Sequence, residues 1–123
     1  MKYLCLCYYD TEALARLNPA EQQEIAKACA PHDAALRATG RLLVQGSLSS
    51  PESWSHFVPK NGMPVRSDGP YLKGTRQAGA FFIVEATSAE EARTVASKHA
   101  AANFGEHIGF AVEVRECELY QTY

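Results

Sequence analysis

The order of strand-like and helical patterns is the feature that most constrains the fold of this chain. Strand patterns occupy residues 2–9, 41–48, 53–59, 78–86 and 109–117, while 63–66 is too short a run to assign. Helical patterns occupy residues 19–39 and the segment TSAEEARTVASKHAAA, which opens with a Ser88–Glu91 capping box. The predicted buried side of this second helix consists of Ala92, Val95, Ala96 and His99. Two helices separated by strands predict an α+β fold, a ferredoxin-like antiparallel sheet with two helices on one face.

The first helix has clear signals at both ends. Asn18 is a good N-cap, Pro19 suits the first helical position, and Gly40 ends the pattern. Pro31 lies inside the pattern, where it lacks a donor and clashes with the preceding turn. The sequence therefore predicts a helix with a kink or a break near residue 30.

The first strand is apolar on both faces, which is typical of a central strand. Tyr3, Cys5, Cys7 and Tyr9 share one face, and Leu4, Leu6 and Tyr8 share the other. A ferredoxin-like sheet leaves one face bare, and we expect tyrosine, cysteine and phenylalanine on it. Since such a face is a poor surface for a monomer, the pattern predicts a homodimer formed through the open sheet face.

Composition narrows the class of protein. A chain of 123 residues with 46% apolar residues suits one domain, residues 1–123, and a net charge of -2 argues against direct nucleic-acid binding. No apolar stretch is long enough to span a membrane. The N-terminus lacks the features of an export signal, so we expect a cytoplasmic protein with four reduced cysteines.

The stretch SDGPYLKGTRQAGAF, residues 67–81, combines four turn-forming residues with one acidic and two basic side chains. Its Asp68–Tyr71 segment resembles the DGPF signature of the YCII-related domain family, DGPF-type branch. QAGAFFIVEA, SAEEARTVASKHAA and VEVRE also resemble segments of that family. The resemblance covers almost the whole chain and implies a dimeric α/β barrel of ferredoxin-like domains.

The chain departs from the family in the loop after the signature and in a proposed catalytic pair, and its closing Glu113–Glu116 segment lacks the proline of the family pattern. The acidic run that usually follows the signature is replaced here by Leu72–Arg76, which is basic. Plain YCII members carry a proposed catalytic pair, a histidine in the first helix and an aspartate near the second. The slot of that histidine falls on Cys29, and the region of the aspartate reads Ser97–Ala100, so the pair is not reproduced.

His32 and Asp68 are the candidate catalytic residues. His32 lies on the apolar stripe of the first helix, where its protonation near neutral pH suits proton transfer, and Asp68 would orient the proton or a ligand hydroxyl. The alternative for His32 is a core or interface histidine bonded to a backbone carbonyl. The alternative for Asp68 is an Asx-turn that fixes the loop.

Ligand-binding residues are expected around the same signature. Tyr71, Arg66, Arg76 and Cys29 are the candidates. Residues 60–76 hold four basic side chains against one acidic one, which favours a small anionic or aromatic ligand, although such charges also simply solvate loops. The histidines and cysteines lack metal-ligand spacing, so no metal and no cofactor are expected.

Two classes of function fit these patterns. The first is an enzyme that carries out cofactor-free acid–base catalysis, such as isomerisation or elimination on an aromatic or hydroxylated substrate. This is implied by the resemblance, because one branch of the YCII superfamily is associated with dehydrochlorination. The second is a non-catalytic regulatory or interaction module, since family members occur beside or fused to sigma-factor-like transcription proteins.

Overall fold

The computed structural model describes all residues, Met1–Tyr123, and contains six strands and three α-helices. The strands are β1 Lys2–Asp10, β2 Leu42–Ser47, β3 Ser55–Lys60, β4 Met63–Asp68, β5 Arg76–Glu85 and β6 Ala111–Glu116. The helices are α1 Thr11–Ala15, α2 Pro19–Ala38 and α3 Ala89–Ala96, with short 3-10 turns at Pro51–Ser53, Ala100–Ala102 and Glu106–Ile108. Four strands form an antiparallel sheet in the order β2-β5-β1-β6, the ferredoxin-like order, which confirms the predicted fold class.

Strand β1 is central, as its two apolar faces predict, because β5 and β6 both pair with it. Its odd-numbered residues Tyr3, Cys5 and Cys7 are buried in the core with residues of α2, α3 and β5. The cysteines therefore lie on the helix-covered face, and the expectation that the bare face carries cysteine is wrong.

The bare face of the sheet is aliphatic and aromatic. Alternation along the strands and their register place five apolar side chains there. They are Leu4, Leu6, Val44, Phe81 and Ile83. The part of the prediction that assigns an apolar bare face is consistent with this set.

Helix α2 is continuous from Pro19 to Ala38, so the predicted kink or break near residue 30 is not a break. Asn18 and Glu21 form a full capping box at its start, and Gly40 adopts a left-handed conformation after its end. Pro31 is exposed, as is Lys27, whose carbonyl loses its helical donor. Water can satisfy that carbonyl, which explains how the helix tolerates the proline.

Helix α3 is shorter than its sequence pattern. Ser88 accepts the Glu91 backbone N–H at 3.1 Å, as predicted, but the Glu91 carboxylate bonds to Thr87 rather than closing the box on Ser88. Ala96 ends the helix, and the following chain turns into the 3-10 segment Ala100–Ala102. His99 therefore lies beyond the helix rather than on its buried stripe.

Strands β3 and β4 form a separate hairpin outside the main sheet. Its two-residue loop, Asn61 and Gly62, has positive φ at both positions, as a type I′ turn requires. Almost all of its residues are exposed, so it lacks the buried face that would produce a clear alternating pattern. This is why residues 63–66 could not be assigned from sequence.

Replacing Pro31 by alanine is expected to stabilise the protein, since alanine restores a helical donor and removes a ring clash. The expected gain in free energy of unfolding is about 1–3 kcal/mol. Chemical denaturation of Pro31→Ala measures it. Pro19→Ala is the control, because proline at the first helical position loses no hydrogen bond, and a gain of equal size there would contradict the explanation.

Candidate functional site

A cavity of about 610 Å³ lies between helix α2 and the helix-covered face of the sheet. Backbone and side chains of β1, β2 and β5 form its floor, α2 forms one wall, and the segment from His99 to Ala101 forms another. The polar residues that line it are Cys7, Tyr8, Cys29, Asp33, Gln45, Ser47 and His99. The other lining residues are mostly hydrophobic, so the chamber is largely apolar and carries polar groups at separate points of its wall.

The cavity exists because the middle of α2 carries small side chains toward the sheet. Ala26, Cys29 and Ala30 line the chamber, and none of them is long enough to reach the floor. Leu36, near the C-terminal end, is the only buried residue of the helix. The helix is thus anchored at one end and leaves space beneath its centre.

His99 is the most firmly held polar group of the cavity wall. Its Nδ1 accepts the Ala101 backbone N–H at 3.0 Å, which caps the 3-10 turn. Its ring stacks on Phe82, with centroids 5.0 Å apart and planes 7° from parallel. The Asn103 amide donates to the His99 carbonyl at 2.7 Å, so backbone and ring are both fixed.

Cys7 also touches this ring, but not through a directed hydrogen bond. Its Sγ lies 3.7 Å from both Nδ1 and Nε2 of His99. A thiol aligned with one ring nitrogen would be much nearer to that nitrogen than to the other. The contact is therefore packing of sulfur against the ring, rather than a Cys–His catalytic couple.

The chemical state of the cavity follows from burial. Burial lowers the pKa of His99, with a smaller contribution from His32, whereas the Asp33 carboxylate partly opposes the shift. Burial raises the pKa of Cys7 to about 12 and that of Cys5 to about 11. At neutral pH the imidazole is uncharged and these thiols are protonated, which makes them poor nucleophiles and metal ligands.

Asp33 is the carboxylate of the cavity wall. It is half-buried on α2, one turn after Cys29, and pairs with Arg37 at 3.0 Å on the solvent side. Burial, and secondarily the negative charge of Asp33, raises the pKa of the Cys29 thiol. The cavity thus combines one carboxylate, one neutral imidazole and protonated thiols.

A comparison with known protein families identifies the family of this chain. The profile of the YCII-related domain matches residues 1–118. The chain belongs to the YCII-related family. No curated protein shows significant sequence similarity to it. A solved structure of 5-chloro-2-hydroxyhydroquinone dehydrochlorinase (TftG) from Burkholderia phenoliruptrix AC1100, in complex with 2,5-dihydroxybenzoquinone, has 18% identity, covers 96% of this chain and 94% of that chain, and has a TM-score of 0.47.

Within this YCII-related chain, Cys29 and His99 both line the cavity. By the resemblance described above, Cys29 and the Ser97–Ala100 region correspond to the family's proposed catalytic pair. No helix is long and apolar enough to cross a membrane, and no three His, Cys, Asp or Glu side chains are grouped to hold a metal.

The predicted pair His32 and Asp68 does not share this cavity. Neither residue lines it, and the His32 ring instead packs near Phe104, with centroids 5.6 Å apart. Asp68 is exposed and pairs with Arg66 at 2.9 Å. Its carboxylate accepts no backbone N–H, so the Asx-turn alternative is wrong. The catalytic roles of His32 and Asp68 stay predictions.

Among the predicted ligand-binding residues, only Cys29 lines the cavity. Tyr71 is 64% exposed and packs edge-on against His56. Arg66 pairs with Asp68, as described, and Arg76 lies 3.9 Å from the Asp10 carboxylate. These three residues lie between positions 66 and 76, in or beside the loop that follows the signature, and their role in binding remains a prediction.

The signature loop is organised by an internal amide. Gln77 is 7% exposed, and its Nε2 donates to the carbonyls of Leu72 at 2.9 Å and Gly74 at 3.1 Å. Gly69 and Gly74 both have positive φ, as the turns on either side require. The glycines and the buried glutamine of this stretch therefore serve mainly to hold the loop in its conformation.

Sequence reasoning missed Asp33 and assigned His99 only to a buried helix stripe. A signal for the site was present: Ala26, Cys29, Ala30 and Asp33 recur at helical spacing, which leaves a small-residue face where large apolar side chains would otherwise fill a core. His99 could not be found this way, because its position depends on where α3 ends.

The lowered pKa of His99 predicts a pH dependence of stability. An unfolded histidine binds a proton below about pH 6.5, whereas folded His99 resists it, so its contribution is complete above that pH and is lost as pH falls through the lowered value. His99→Asn keeps a cap acceptor but cannot titrate. We expect urea denaturation at pH 7.5 and 5.0 to show a smaller loss in the variant.

The control is His107→Asn, because His107 is an exposed histidine outside this cavity. It should lose as much stability on acidification as the unmodified chain. An equal loss for all three proteins would show that His99 does not titrate with a lowered pKa.

Proposed function

We propose that the protein binds a small, neutral, largely aromatic molecule in the cavity and catalyses cofactor-free proton transfer on it. The observation that carries this proposal is that a chamber of about 610 Å³ has a fixed, half-buried imidazole and a carboxylate in its wall. Isomerisation and elimination are the reaction types that such a pair supports, since both begin with movement of a proton.

The size and lining of the chamber support a small-molecule ligand. Binding pockets for such molecules typically measure about 300–1,000 Å³ and combine hydrophobic walls with a few placed polar groups. Phe110 supplies aromatic lining, and Gln45 and Ser47 supply further hydrogen-bonding groups. A flat ring with one or two oxygen substituents suits this arrangement.

The charge of the site favours a neutral ligand over the small anion that the basic loop suggested. Asp33 brings negative charge to the chamber wall, and the imidazole of His99 supplies no positive charge at neutral pH. Arg66 pairs with Asp68, Arg76 lies near Asp10, and neither arginine lines the chamber. Membership of the DGPF-type branch and a cytoplasmic setting, which four free cysteines favour, belong to the same proposal.

A homodimer formed through the bare sheet face is part of this proposal. Val44 at the sheet edge is 43% exposed, and Leu4, Leu6, Phe81 and Ile83 continue the apolar face across the central strands. A second copy would bury this face by an isologous contact. In a monomer, this face would stay in contact with water as an exposed apolar patch, and such patches mark interfaces.

The alternative is a non-catalytic interaction module, and one observation favours it. The β3–β4 hairpin projects two large apolar side chains, Phe57 at 64% and Met63 at 65% exposure. An exposed apolar strand edge is a surface on which another protein can pack. In that case the hairpin, rather than the chamber, would carry the function.

Filling the chamber tests the binding proposal. Ala30 lines it on α2, so Ala30→Phe should occupy the space and weaken binding of small aromatic fragments by about tenfold or more. Saturation-transfer NMR with phenols and aryl ketones measures the change. Ala35→Phe is the matched control, an exposed alanine of the same helix outside the chamber. Fragment binding that is identical in both variants, or absent throughout, would refute the proposal.

A pair of valine substitutions tests the dimer. Val44→Glu places a charge on the bare sheet face, whereas Val65→Glu places one on the hairpin. The two valines are matched in exposure, at 43% for Val44 and 45% for Val65. Sedimentation equilibrium is expected to show a dimer that Val44→Glu converts to monomer and Val65→Glu leaves intact. The reverse result would assign association to the hairpin and favour the interaction module.

A further inference from the structure

We propose that His99 acts on the ligand as a neutral hydrogen-bond donor through Nε2, and that the cavity therefore selects a carbonyl compound. A proton on the carbon next to this carbonyl passes to Asp33. This inference rests on the proposed function and deepens it by naming the ligand class and dividing the roles of the two polar groups. It excludes the default reading of His99 as a general base.

The tautomer of His99 follows from one contact. The Ala101 backbone N–H can only donate, so Nδ1, 3.0 Å away, must present its lone pair. A neutral imidazole carries one proton, which is then on Nε2. Neither ring nitrogen has a free lone pair, and a base needs one. The hydrogen-bonding capacity left to the ring is donation from Nε2.

The surroundings of His99 keep the ring uncharged and still. Phe82 covers it by stacking, and Cys7 packs against it with a protonated thiol. From α2, Asp33 favours the charged ring and His32 opposes it, but burial is the largest influence and disfavours it. A donor fixed in this way needs no reorganisation when charge develops on a nearby oxygen, which is the arrangement that stabilises oxyanions.

A neutral imidazole that donates from Nε2, with Nδ1 held at a turn N-terminus, is suited to polarising a carbonyl group. A hydroxyl group can offer its oxygen to this donor, but its own hydrogen would find no acceptor on this ring. A carbonyl oxygen, or the enolate oxygen it becomes, finds a donor. The preference for a carbonyl compound follows from the tautomer, and the apolar chamber adds the preference for a ring beside it.

Asp33, on the α2 wall of the same cavity, is the proton acceptor. In the proposed step the bond between carbon and hydrogen next to the carbonyl breaks, and its proton moves to the Asp33 carboxylate. The electron pair forms a carbon–carbon double bond, and the carbonyl oxygen becomes an enolate oxygen that accepts from His99 Nε2. Return of the proton to the same or another carbon completes exchange or isomerisation, with no oxidant or cofactor required.

Matched variants and matched probes test the division of roles. His99→Gln can place an amide donor near the Nε2 position without a titratable base, whereas His99→Asn keeps a cap acceptor near the Nδ1 position and lacks that donor. The probes are 4-hydroxyacetophenone and 4-ethylphenol, which are similar in shape and differ in the carbonyl. Binding is measured by NMR titration, and proton transfer by deuterium uptake into the acetyl methyl group in heavy water.

The expected results separate the two residues. The unmodified chain binds 4-hydroxyacetophenone more tightly than 4-ethylphenol, His99→Asn weakens the ketone by about tenfold, and His99→Gln weakens it by less than about threefold. Asp33→Asn leaves ketone affinity nearly unchanged and slows deuterium uptake by about 100-fold. A long-range ¹H–¹⁵N spectrum of the unmodified chain shows His99 protonated at Nε2.

Several outcomes would overturn the inference. A His99 protonated at Nδ1, equal affinity for the two probes, or equal damage from Gln and Asn would each remove the donor role. Deuterium uptake that Asp33→Asn does not slow would remove the role of Asp33. Failure of the proposed function is distinguishable, because then no fragment binding would respond to Ala30→Phe. Variants are compared after circular dichroism confirms that they fold.

Discussion

The pairing of β1 with a neighbour on each side is the constraint on which the rest of the structure depends. Ladders to β5 and β6 satisfy both edges of this strand, and its alternating side chains serve two surfaces. Tyr3 and Cys5 form core against the helices, while Leu4 and Leu6 remain on the bare face. The same alternation brings Cys7 to the floor of the cavity beside His99.

Incomplete packing of α2 is the second determinant of the molecule. A helix that buries only Leu36 contributes little hydrophobic stabilisation for its twenty residues, so it relies on good caps at both ends. The small side chains of its middle, Ala26 and Ala30, leave a chamber that a well-filled core would not contain. The same small side chains therefore reduce the packed core and create the polar-walled chamber.

Sequence reasoning succeeded where local chemistry decides the outcome. The caps at Asn18 and Ser88, the end at Gly40 and the central position of β1 all follow from patterns within a few residues, and the structure contains each of them. At Pro31 the sequence left a kink or a break open, and the helix continues without a break because Lys27 is exposed and solvent can satisfy its carbonyl. Sequence reasoning failed to place the hairpin, whose exposed strands carry no alternating burial.

By itself, the sequence determined the family, the α+β class, the order of the elements and a helix face of small residues, because each is recorded in local composition and spacing. The tertiary structure alone decided where the polar groups meet. Asp33 and Cys29 share a helix turn, but His99 lines the same cavity because α3 ends at Ala96 and the Ala101 N–H fixes its ring. The site thus depends on contacts between distant segments, which no local pattern encodes.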